Sequence, residues 1–173
     1  MKKVVGFALL VLFLNSCGYK PTSIYTKNVL GDTIFVDVKS SLRDPENSIL
    51  IKDALNEAVI NKFKSRVVEK KSDATSTLYV ELKSVYFQPI EFDKNGYVIS
   101  YKTVVKLLTL YKDKRSMASK ILTQGDYDFN IESNSIISDT KRFNAIKEAS
   151  QKAIDAFISK ISVKGVNSEV KYK

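Results

Sequence analysis

The chain has 173 residues, with 28 Lys and Arg against 19 Asp and Glu, no histidine and one cysteine. The absence of histidine removes the commonest general base, and a lone cysteine supports neither an intrachain disulfide nor a Cys/His zinc cluster. A formal charge of +9 calls for an anionic partner or a heavily solvated surface.

Met1-Lys2-Lys3, the apolar run Val4 to Leu14 and then Asn15-Ser16-Cys17 follow the order of a secretory signal. As a helix the run is only ~16 Å long, about half the hydrocarbon core of a bilayer, so residues 1–16 read as a removable signal peptide and not a span. Leu14-Asn15-Ser16-Cys17 resembles the lipobox of bacterial lipoproteins, which implies palmitate-type acylation of Cys17 and a membrane anchor. Gly18 after the cysteine resembles outer-membrane sorting. Loss of Lys2 and Lys3 lowers the charge to +7. For an exported domain the anions at hand are phospholipid, lipopolysaccharide and peptidoglycan carboxylates, and nucleic acid is not expected.

Residues 17–32, with Pro21 and Gly31, read as a lipidated N-terminus and extended tether. Thr33 to Val38 alternates as a first strand. Asp44-Pro45-Glu46 places a capping oxygen before a proline at the first helical position, and Ile51, Ala54, Leu55, Ala58, Val59 and Phe63 continue at helical spacing. Thr77 to Phe92 and Tyr97 to Tyr111 flank Asp93-Lys94-Asn95-Gly96, where Asn-Gly predicts a two-residue type I′ hairpin. Ile121 to Glu132 returns as a fourth strand.

Asp126, Asp128, Asn130 and Glu132 open like a calcium loop, but Ile131 replaces the turn glycine and Ile137 the closing glutamate. Their alternation with Tyr127, Phe129 and Ile131 fits a strand with one wet face, so no metal or other cofactor is expected beyond the lipid on Cys17. Asp139 is expected to cap a last helix through Ile161 that ends at Gly165, leaving 165–173 as a polar tail. The predicted fold is a single α/β (α+β) two-layer sandwich over residues 33–164, order β-α-β-β-β-α, with two helices on one face of a four-stranded sheet. The opposite face carries Tyr, Thr, Lys and scattered Val, the composition of a binding surface.

Cys17-Gly18-Tyr19-Lys20-Pro21, the element order and the long hairpin with Asn-Gly at its tip resemble the LptE family of lipopolysaccharide-assembly lipoproteins. The resemblance implies a noncatalytic outer-membrane lipoprotein that plugs the LptD β-barrel, helps it assemble and binds lipopolysaccharide. Its expected ligand-binding residues fall here on Lys94, just before Asn-Gly, and on Lys141 or Arg142 ahead of the last helix. A turn lysine is otherwise simply solvated. Two other readings compete: a lipoprotein regulator of a peptidoglycan synthase, which needs a long tether, and a carboxylate-only glycan hydrolase. For the hydrolase, Glu81, Glu91 and Asp93 are the clustered acids. No catalytic residue is assigned.

Overall fold

The computed structural model describes residues 21–39 and 45–170, and Cys17, Asp44 and the signal segment lie outside them. The order is α1 (Thr22–Leu30), β1 (Thr33–Lys39), α2 (Pro45–Asn61), β2 (Arg66–Val68), a 3-10 turn (Lys71–Asp73), β3 (Ser76–Phe92), β4 (Val98–Lys112), β5 (Ala118–Asn130) and α3 (Asp139–Val170). One mixed sheet runs β2-β1-β3-β4-β5. β1 pairs in parallel with β2 and β3, whereas β3, β4 and β5 form an antiparallel meander.

The mixed α+β character and the single sheet match expectation, but the described residues form five strands and three helices where four and two are expected. The extra strand, β2, is three residues long, too short to show alternation, and exists through its parallel pairing of Arg66–Val68 with Thr33–Phe35. The extra helix, α1, lies where an extended tether is expected. Its nine residues are too few for a sustained apolar stripe, yet Val29 and Leu30 reach the core. Gly31 ends it at φ +81°, donating its N–H to Lys27 O at 2.8 Å.

Apolar side chains dictate the layering. Ile51, Ala54, Leu55, Ala58 and Val59 of α2, with Ile146, Ala149, Ala153, Ile154, Phe157 and Ile161 of α3, meet Ile34, Val36, Leu78, Val80, Val105 and Leu107 of the sheet. Burying each Val, Leu, Ile or Phe among them contributes about 1.5–3 kcal/mol. Phe143, expected on the α3 stripe, is half exposed. Ser138, one residue before the expected cap Asp139, receives the Lys141 N–H on its Oγ at 3.4 Å. The helix then runs through Gly165, expected to end it, to Val170. That glycine serves a close crossing: a Cβ there would lie 2.3 Å from Tyr25 O of α1.

The β3–β4 hairpin is far longer than an ordinary strand pair. Arg142, in the first turn of α3, reaches Phe87, so the hairpin beyond Gln88 stands clear of the helix layer. Its turn is not the expected type I′. Asn95 keeps a negative φ, and only Gly96, at +84°, is left-handed. Asp93 N–H donates to Tyr97 O at 2.8 Å and Gly96 N–H to Asp93 O at 3.0 Å, a wider loop with the glycine at its bulge.

Candidate functional site

The hairpin tip joins a cation to exposed apolar surface. Asp93 Oδ1 accepts from the N–H groups of Asn95 (2.8 Å) and Tyr97 (2.9 Å), which fixes the turn and leaves Lys94 at its apex. The other carboxylate oxygen accepts from the Ser133 hydroxyl, tying the loop after β5 to the tip. The Ser133 hydrogen bond, reinforced by those from Tyr97 and Asn95, holds the Asp93 carboxyl below its ordinary value against a smaller opposing effect of burial. Around this frame Ile90, Phe92 and Tyr97 are exposed, and Ile136 on the tethered loop is 90% exposed. Lys94 is exposed and has no acidic partner among the described residues.

Lys141 and Arg142 sit elsewhere and are occupied. Lys141 Nζ donates to Asn130 O at 2.7 Å, capping a carbonyl on the outer edge of β5. Asn130 pairs with Ser100, which strand geometry places roughly 15–20 Å back from the tip. The Arg142 guanidinium lies 5.2 Å from the centre of the Phe87 ring, itself edge-on to Phe129, which stacks on Tyr101. The structure therefore separates Lys94 from the other two cations. The tip residues Phe92, Tyr97, Ser133 and Ile136 escaped the sequence reading. The one available signal was Ile136-Ile137 set among Ser133, Asn134, Ser135 and Ser138, an apolar pair in a polar loop.

The open face of the sheet has its own order. Glu81 engages Lys39 (3.7 Å) and Lys83 (3.4 Å), whereas Asp126 and Asp128 flank Lys102 at 4.0 and 3.7 Å. Of the residues that mimic a calcium loop, Asp126 and Asp128 are thus strand residues facing a lysine, and Asn130 ends β5, two residues short of the expected Glu132. Among the described residues no group of three His, Cys, Asp or Glu forms a metal cluster. No described helix is long and apolar enough to cross a membrane.

With this geometry in view, the family model described as "LptE: Lipopolysaccharide-assembly" matches residues 35–161, from β1 into α3. The chain belongs to the LptE family. LptE proteins are lipoproteins associated with the outer membrane, and lipopolysaccharide assembly is the process in which this chain is placed. Rare lipoprotein B of Shewanella oneidensis has the same fold, with a TM-score of 0.52 at 15% identity over 78% of this chain and 98% of that one. A Caulobacter crescentus protein gives 0.52 at 8% identity, covering 84% and 96% of the two chains. A Xanthomonas campestris protein gives 0.51 at 7% identity, covering 80% and 87%. No curated protein matches the sequence. The LptE match omits α1, which in this structure is packed against α3.

Proposed function

We propose that this LptE-family chain is a noncatalytic lipoprotein, anchored through lipid on Cys17, that binds lipopolysaccharide at its hairpin tip and plugs an LptD-type barrel. The observation that carries the ligand reading is the tip itself. Lys94 supplies a point charge for a lipid A phosphate, and Ile90, Phe92, Tyr97 and Ile136 supply apolar surface for acyl chains beside it. Membership of a lipopolysaccharide-assembly family supports the same ligand. The length of the hairpin supports insertion, because it holds this tip beyond the rest of the domain.

The regulator of a peptidoglycan synthase loses support. Only three residues separate Cys17 from Pro21, a reach of at most ~14 Å, since α1 takes up what would have been tether.

The test is lipopolysaccharide binding by the full-length lipoprotein and its Lys94→Glu variant across a salt series. Charge reversal is expected to weaken binding about tenfold, or ~1.4 kcal/mol, at low salt, with the gap narrowing as salt rises. Equal binding at every salt concentration would reject Lys94 as a contact. A mild-detergent pull-down from the native outer membrane should recover one large β-barrel per chain, and its absence would reject the plug.

A further inference from the structure

The open sheet face carries an apolar groove of about 400 Å³ at the end opposite the hairpin tip, lined by Thr77, Tyr79, Leu110, Lys112, Ala118 and Lys120. Its floor follows from pairing, since Tyr79, Leu110 and Lys120 lie side by side across β3, β4 and β5, with Thr77, Lys112 and Ala118 as the next row. Leu110 is 45% exposed at the centre, and Phe35 extends the apolar surface beyond Tyr79 at 6.1 Å between ring centroids. From these residues we propose that the groove binds one acyl chain of an anionic glycerophospholipid, with Lys112 and Lys120 holding its phosphate.

The distribution of charge commits the groove to an anion. Of the open-face acids, Glu81, Asp126 and Asp128 engage Lys39, Lys83 and Lys102, and Asp37, paired with Tyr79 on β1, lies outside the lining. Lys112 and Lys120 have no acidic partner among the described residues, and the lining carries no carboxylate. Lys71 adds a third positive charge, 5.4 Å from the centre of the Tyr79 ring. A second observation points to a ligand: Thr77 is 6% exposed, yet its buried hydroxyl has no hydrogen-bond partner among the described residues.

Size and position separate this groove from the tip. Its volume is at the small end for a ligand pocket and suits one chain, whereas lipopolysaccharide would leave most of its acyl cluster in water. β4 spans Val98 to Lys112, so roughly 50 Å lies between the two ends at ~3.4 Å per residue. One lipid headgroup cannot serve both.

The experiment is native mass spectrometry of the full-length lipoprotein with phosphatidylglycerol, phosphatidylcholine of the same chains, or lipopolysaccharide. Phosphatidylglycerol is expected to be retained at one per chain and at least tenfold over phosphatidylcholine. Lys112→Glu/Lys120→Glu and Leu110→Asp should each reduce that retention about tenfold, while Lys94→Glu leaves it unchanged. The charge pair lies on the surface and preserves the core, which keeps the test valid if Leu110→Asp fails to fold. Equal retention of the two phospholipids, indifference to the lysine pair, or lipopolysaccharide held through those lysines would each overturn the proposal. Loss of lipopolysaccharide binding in Lys94→Glu alone reads out the tip and leaves the groove result independent.

Discussion

Asp93 and Asp113 perform the same task at the two ends of β4. Each opens a turn whose following N–H groups converge on its Oδ1: Asn95 and Tyr97 on Asp93, Arg115 and Met117 on Asp113. In both, the fourth residue is left-handed, Gly96 at +84° in one and Ser116 at +62° in the other. The first turn projects into solvent. The second docks on α1 through Lys114 N–H to Val29 O at 3.0 Å, which buries Asp113.

That difference predicts a stabilising substitution. Ser116 carries a Cβ in a conformation that costs a non-glycine residue about 1–2 kcal/mol, partly offset by the unfolded-chain entropy that glycine adds. Ser116→Gly is expected to raise stability by about 0.5–1 kcal/mol, read as a higher urea midpoint at unchanged slope. A lower midpoint would mean that the serine hydroxyl matters more than the backbone.

Asp93 makes the tip sensitive to acid. Its carboxyl is held below the ordinary 3.8, first by Ser133 and then by the turn N–H groups. A depressed folded-state value means that the carboxylate's contribution is complete above 3.8 and is lost as pH falls through the lowered value. Ser133→Ala should move the Asp93 titration up toward 3.8, followed by NMR of the carboxyl carbon, with the Asn95 and Tyr97 amides shifting in parallel. An unmoved titration would show that the turn N–H groups alone set it.

Gly125 is where α3 touches the sheet most closely. A Cβ there would lie 2.1 Å from Ala149 O and 2.3 Å from Ala153 N, both backbone atoms of the helix. No side-chain rotation relieves such a contact, so the helix must shift. Gly125→Ala is expected to cost ~3 kcal/mol or more and to lower Tm by roughly 6–12 °C in a thermal melt. A melt within 2 °C of the wild type would mean that the layers are loosely apposed.

These contacts mark what could be read in advance. The stripes of α2 and α3 and the alternation of β3, β4 and β5 are local patterns, and they appear in the structure within a few residues of expectation. Val29 and Leu30 become core because α1 finds a seat against α3, where Gly165 admits the Tyr25 backbone. Nothing in the nine residues of α1 announces that partner. Gly165 itself reads as a stop from sequence, since a glycine required for close approach and one required for chain reversal look alike. Cys17 and the capping Asp44 lie outside the described residues. Lys94's place in the hairpin turn was legible because turn chemistry is local, whereas its role toward a ligand came only from the resemblance to the LptE family. The orphaned Thr77 hydroxyl and the pairing of open-face acids with lysines required the register.

The three cations expected to serve the ligand should differ in effect, because only Lys94 lacks an internal partner among the described residues. Lys141 satisfies the Asn130 carbonyl on the sheet edge, and Arg142 covers the Phe87 ring. Removing either takes away a structural contact worth about 0.5–1.5 kcal/mol. Lys141→Ala and Arg142→Ala are therefore expected to lower the urea midpoint while weakening lipopolysaccharide binding less than threefold. Lys94→Ala should do the reverse, leaving the midpoint unchanged and weakening binding more than either. The Arg142→Lys variant sharpens the comparison, since it keeps the charge but loses the planar group over Phe87. If Arg142→Lys binds like the wild type while Arg142→Ala loses as much as Lys94→Ala, the charge at 142 acts on the ligand and the two ends of the protruding hairpin work as one site. If both variants at 142 lose stability and keep binding, Lys94 acts alone at the apex.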